Sequence, residues 1–129
     1  MKGGFFVMSK IKNIIKEALL LNNMIEDDIA VIQVNKIFFN VHLFRILVLL
    51  LYNFVLQTKM TEKEILDFIM KNFEAIIDIV RTEVEIVLLN FCNIYEEELA
   101  EEVQLHNKDE CLIVLALQNK VNEKLKKLM

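Results

Sequence analysis

The stretch Ile37-Phe38-Phe39-Asn40-Val41-His42-Leu43-Phe44-Arg45-Ile46-Leu47-Val48-Leu49-Leu50-Leu51-Tyr52-Asn53-Phe54-Val55-Leu56 decides how this chain is read. Only Asn40, His42, Arg45 and Asn53 interrupt these twenty residues, and the chain holds no proline and no glycine after Gly4. With no breaker, the run reads as a helix that is hydrophobic nearly all round, which must lie inside a helical bundle or a bilayer. Arg45 argues against lipid, since a charge at mid-span costs about 2.5–3.5 kcal/mol on an insertion scale, and Asn40, His42 and Asn53 add to that cost. The apolar pattern also continues upstream through Ile29, Ile32 and Val34, as a long amphipathic helix would and a bounded span would not. The expectation is therefore a long buried helix over about residues 26–57 and no membrane span.

Working outward, helix starts punctuate the chain. Ser9 is placed to cap a first helix whose stripe runs Ile11, Ile14, Ile15, Ala18 and Leu19, with Lys10, Lys12 and Lys16 outside. Asn22-Asn23 ends it. Asn23 with Glu26 opens the long helix, and Glu26, Asp27 and Asp28 put negative charge at its positive end. Thr61 with Glu64 forms a capping box for a third helix with the stripe Ile65, Phe68, Ile69, Phe73, Ile76, Ile77 and Val80. Thr82 with Glu85 repeats the pattern, so a new helix starts there or the third runs on to Phe91. Asn93 with Glu96, and Asn107 with Glu110, supply further starts, the last serving Leu112–Leu117, Val121, Leu125 and Leu128. The competing assignment is β-structure in the Ile, Val and Phe-rich stretch 29–44. It lacks strict alternation, and strands need turns that a chain without proline or internal glycine supplies poorly. The sequence thus predicts an all-α compact bundle of five or six helices around the long hydrophobic one.

At 129 residues with 55% apolar residues, the chain suits one domain with a real core. Residues 1–8 are expected to be a disordered N-terminal extension and 9–129 a single helical domain. Gly3–Val7 is too short for the apolar region of a signal peptide. Cys92 and Cys111 lie in apolar surroundings without a CxxC spacing, as buried small hydrophobes in a reducing compartment do. A cytoplasmic protein is expected. The apolar surplus leaves room for a face covered by a second copy or a partner.

Charge is unevenly placed. Residues 1–25 carry four lysines against Glu17 and residues 120–129 four against Glu123, whereas 83–110 hold nine acids against Lys108 alone. Glu96–Glu98 favour a helix N-terminus, and a solvated face keeping an apolar protein soluble would explain the whole cluster. The sharper reading makes Glu97, Glu98, Glu101 and Glu102 a docking surface for a basic protein partner, whose association they would steer. Nucleic acid is disfavoured by the net charge of −4 and by the absence of aromatic residues interleaved with basic ones.

Chemistry is sparse. Glu98, Glu102 and His106 share a helical face, but a carboxylate-bridged metal site in a bundle draws ligands from several helices, typically with an ExxH pair, and no such pair occurs. No metal and no cofactor are expected. Ser9, the one serine, reads as a cap, and no phosphate loop is possible without internal glycine. His42 and Arg45, three apart on the most hydrophobic helix, would make a polar floor for an anionic ligand, or else Arg45 pairs with an acid or reaches the surface along its stem. The function expected is a small acidic interaction or regulatory protein without catalysis, an inhibitor, immunity protein or adaptor, with an apolar surplus that leaves room for a homo-oligomer. The alternative is a ligand-sensing helical domain with its pocket beside His42 and Arg45.

Overall fold

The computed structural model describes residues 2–26, 29–34, 37–90 and 112–129, with side-chain surroundings for 10–26, 43–87 and 115–129. The elements among them are α1 (Lys2–Leu21), the strands β1 (Ile29–Val34) and β2 (Ile37–His42), α2 (Leu43–Thr58), α3 (Glu62–Asn90) and α4 (Leu112–Lys126). The body is helical, as expected. α1 and α4 each pack on both α2 and α3. The order around the bundle is therefore α1, α3, α4, α2, which sets α1 diagonal to α4 and α2 diagonal to α3. The phenyl rings of Phe54 and Phe68 stack across the α2–α3 diagonal with centroids 5.5 Å apart. The helices expected to begin at Asn93 and Asn107 fall at least partly outside the described residues, as do Cys92 and Cys111.

The long helix over 26–57 is not formed. Its first half is an antiparallel hairpin in which Ile29 pairs with His42 and Val34 with Ile37, and the helix is confined to the sixteen residues of α2. The composition changes at that boundary. Residues 29–42 hold Ile29, Val31, Ile32, Val34, Ile37, Phe38, Phe39 and Val41, the β-branched and aromatic types that suit a pleated strand, whereas 43–56 are dominated by leucine. Alternation is a poor guard against this outcome, because it marks only strands with one wet face. β1 lies beside α2 and α3.

α2 keeps the property that drew attention to it. Eleven of its sixteen residues are buried, and Leu47, Leu50, Leu51 and Phe54 are fully so. The stripes of the other helices also fall inside: Ile15, Ala18 and Leu19 of α1, Ile65, Phe68, Ile69, Ile76 and Val80 of α3, and Leu117, Val121 and Leu125 of α4. Phe73, Ile77 and Leu128 pack against this core from its edge.

Helix ends use asparagine and lysine where glycine is absent. Asn23 has φ 64°. The amide of Met24 donates to the Leu19 carbonyl at 3.0 Å and that of Asn23 to the Leu20 carbonyl at 2.9 Å, the paired closure of a Schellman cap, with Leu19 and Met24 both in the core. Asn23 thus ends α1 and starts no helix. Lys59, at φ 54°, closes α2 through its amide to the Val55 carbonyl at 2.9 Å. The Thr61–Glu64 box forms as read: the Thr61 amide donates to Glu64 Oε1 at 3.1 Å and the Glu64 amide to Thr61 Oγ1 at 3.3 Å. α3 runs on through Thr82 and Glu85 to Asn90 and breaks helical geometry at Asn72 (φ −114°, ψ 20°). There the side-chain amide donates to the Phe68 carbonyl at 3.0 Å, a bond that competes with the helix's own ladder and accounts for the kink. α1 begins at Lys2, seven residues before the expected Ser9 cap. A serine inside a helix costs only tenths of a kcal/mol, about 0.5 at most relative to alanine, and no proline stands in the way.

Candidate functional site

The buried polar groups gather where α4 meets its neighbours. Glu83 of α3 falls on the buried stripe, three residues after Val80 and four before Val87, and is 3% exposed. Its carboxylate pairs with the ammonium of Lys124 on α4, whose side chain remains 43% exposed. Lysine reaches into the interface along an aliphatic stem while its head keeps partial access to water. A carboxylate sealed in apolar surroundings without such a partner costs several kcal/mol, about 3–5 when one member of a buried pair is removed. Lys124 therefore does more than complement the dipole of α4, the role that a lysine-rich helix end suggests.

A second polar link joins α4 to α2. Asn122, 4% exposed, donates from Nδ2 to Gln57 Oε1 at 3.1 Å, and Gln57 donates from Nε2 to Asn53 Oδ1 at 3.2 Å. This amide chain leads from the core to the surface of α2. Asn122 Oδ1 finds no hydrogen-bond partner. With one amide half-used, the link specifies position more than it stabilises, because a buried unsatisfied acceptor costs about 1–3 kcal/mol. α4 thus docks through three fully buried aliphatic side chains, Leu117, Val121 and Leu125, and through two polar pins that fix its register on α2 and α3.

Tyr52 of α2 is the other buried polar group. Its hydroxyl has no partner, and the Lys12 ammonium of α1 stands 4.9 Å from its ring centroid, a cation held over the electron-rich face. At the surface where α1 ends, Leu20, Leu21 and Ile25 are exposed, the last two at 59% and 67%. Asn22 Nδ2 lies 3.0 Å from Met70 Sδ, which brings Met70 of α3, 42% exposed, to the same place.

His42 and Arg45 do not share a helical turn: His42 is the last residue of β2 and Arg45 lies in the first turn of α2. Arg45 is exposed, and the side-chain surroundings of His42 lie outside the described residues. Glu97, Glu98, Glu101, Glu102 and His106 lie outside the described residues. Among the described residues no group of three His, Cys, Asp or Glu side chains is placed to hold a metal ion, and no helix is long and apolar enough to cross a membrane. Glu83, Asn122 and Lys124 were not singled out by the sequence reading. Glu83 lies at helical spacing from Val80 and Val87, and Asn122 from Leu125, which is the sequence signal that places them at the core side of their helices. No protein-family model, curated protein or solved structure matches the chain, so the function rests on this geometry.

Proposed function

We propose that this is a small acidic protein-interaction or regulatory protein, an inhibitor, immunity protein or adaptor by class, which acts in the cytoplasm by occupying another protein and carries out no catalysis. The exposed apolar residues where α1 ends beside α3 carry this reading. Leu20, Leu21 and Ile25 are exposed at the end of α1, and the intervening Asn22 reaches the exposed Met70 of α3. Burying one such side chain is worth about 1.5–3 kcal/mol, so a partner that covers the group gains substantially. Grouped exposed apolar residues on a small domain mark surfaces that another protein covers. The acidic residues Glu97, Glu98, Glu101 and Glu102 would add steering toward a basic partner.

The test is capture of a partner from the native host with the intact protein, followed by the variant Leu21→Ser/Ile25→Ser/Met70→Gln. These side chains are exposed, so the variant should keep its helical circular dichroism and melting temperature while losing the partner. Unchanged partner affinity in the folded variant would remove the patch as the interface, and a reproducible enzymatic turnover by the isolated protein would overturn the functional class. Light scattering across a dilution series decides whether the partner is a second copy.

A further inference from the structure

We propose that Met70 is an oxidation site at which a hydroperoxide adds a single oxygen with a fixed handedness, leaving one methionine sulfoxide epimer on the surface where α1 ends beside α3. The chemistry stands on the geometry at the sulfur alone, and its bearing on a partner rests on the protein-interaction reading of that surface.

Two observations meet at this sulfur. Met70 of α3 is 42% exposed, against 8% for Met24 in the core, so an oxidant dissolved in water reaches its side chain. The second observation is the donor beside the sulfur. Asn22 Nδ2 donates to Met70 Sδ at 3.0 Å, and the same nitrogen donates to the Ala18 carbonyl at 2.9 Å. With both amide hydrogens engaged, the Asn22 side chain is held in place at the end of α1. A thioether sulfur has two lone pairs, and in a chiral chain attack through one or the other gives opposite sulfoxide epimers. Asn22 occupies one of them. The other attacks a peroxide oxygen: the S–O bond forms as the O–O bond breaks, and the proton on the transferred oxygen leaves with the departing hydroxide as water. Sulfur gives up two electrons and the peroxide takes them. The lone pair that remains is the one facing Asn22, so the contact between α1 and α3 persists while a polar S–O group is added to the surface that exposes Leu20, Leu21 and Ile25. Oxidation of methionine turns a flexible apolar side chain into a polar, chiral one, and reductases specific for each epimer reverse it. A surface that a partner covers through apolar contacts becomes responsive to oxidants in this way.

The test is oxidation of the intact, folded protein by hydrogen peroxide, followed by digestion with trypsin and mass spectrometry. The tryptic peptide of residues 64–71 holds Met70 as its one methionine, and treatment with each epimer-specific reductase in turn reads the handedness of its sulfoxide. The hydrogen bond has to break before the lone pair on the Asn22 side is attacked. One epimer should therefore exceed the other about fivefold, the rate equivalent of one ordinary hydrogen bond. The same peptide oxidised after digestion should show no such excess, and Met24 in the intact protein should stay reduced while Met70 is converted. Asn22→Ala removes the donor, so the excess should fall to that of the free peptide. Asn22→Asp, which also lacks the donor, is the second variant should the first fail to fold. A Met70 no more reactive than Met24, an epimer ratio in the intact protein equal to that of the free peptide, or an excess that survives in a folded Asn22 variant would overturn the inference. Every readout uses the isolated protein, so failure here leaves the partner-capture reading standing, and failure of that reading leaves the oxidation site standing.

Discussion

Removing the two charges of the Glu83–Lys124 pair one at a time should have unequal effects, and the inequality follows from their exposure. Lys124→Met leaves a carboxylate that is 3% exposed facing a methyl group. Loss of one partner from a fully buried pair costs about 3–5 kcal/mol, and the partial access of water along the Lys124 side, 43% exposed, lowers this to about 2 kcal/mol. Glu83→Gln leaves the lysine instead, and a half-exposed ammonium swings back into water while the glutamine keeps the volume of the glutamate. That change should cost no more than about 1 kcal/mol, the worth of an ordinary hydrogen bond. In the double variant the unpaired carboxylate is absent, so its stability should return close to that of Glu83→Gln. Urea unfolding at pH 7 followed by far-ultraviolet circular dichroism reads these differences. With a slope of about 1–3 kcal/mol/M, the Lys124→Met midpoint should fall by roughly 1 M and that of Glu83→Gln by less than half as much. Equal losses in the two single variants, or a Lys124→Met midpoint at the wild-type value, would refute the claim that the carboxylate is the trapped member of the pair.

Leu47 is fully buried in α2, so Leu47→Asp should abolish cooperative melting, an unpaired interior carboxylate costing several kcal/mol, about the whole stability of a domain; near-wild-type melting would place α2 outside the core. Tyr52→Phe deletes a buried hydroxyl without a partner and keeps the ring under Lys12, so the variant should melt at or above the wild-type temperature, and a clear loss would show that the hydroxyl is satisfied. Hydrogen bonding from Thr61, its side chain first and its backbone amide second, holds the Glu64 carboxyl below the usual glutamate range. The folded value is therefore below the unfolded one, so this part of the cap is present above about pH 4.3 and lost as pH falls through the folded value. Wild type and Glu64→Gln should differ at pH 7 and converge in acid; a gap constant with pH would mean that the carboxylate is not the capping species. Thr61→Ala should cost about 1 kcal/mol at pH 7 in the same urea assay, and an unchanged midpoint would remove the box as a source of stability.

Much of the bundle was legible because its signals are local and periodic. The stripes of α1, α3 and α4 follow from helical spacing, and the box at Thr61 and Glu64 forms from two side chains three residues apart. The errors arise where local rules tie. Residues 29–42 are apolar enough for a buried helix and β-branched enough for a strand. A periodicity test cannot separate the two when neither face is polar, so packing decides. Thr82 and Glu85 satisfy the capping pattern and yet lie within α3, whereas Asn72, with no box around it, makes the break. A capping pattern marks a helix start only where the preceding turn has somewhere else to go.

The Glu83–Lys124 pair and the Asn122–Gln57 link show how polar contacts hide inside a periodic pattern. Glu83 and Asn122 each sit beside fully buried aliphatic residues of their own helices, which a stripe drawn only through apolar residues passes over. A charged or amide residue at a stripe position has two physical outcomes: it is pushed out to water by a change in helix rotation, or it is kept inside by a partner on the facing helix. Arg45 took the first outcome and is exposed on α2. Glu83 could not, because its carboxylate is short-stemmed and α4 closes over it, so its burial requires the lysine that α4 supplies. The requirement runs in both directions. α4 uses Glu83 to set its register, and Glu83 stays buried only because α4 brings a cation to it.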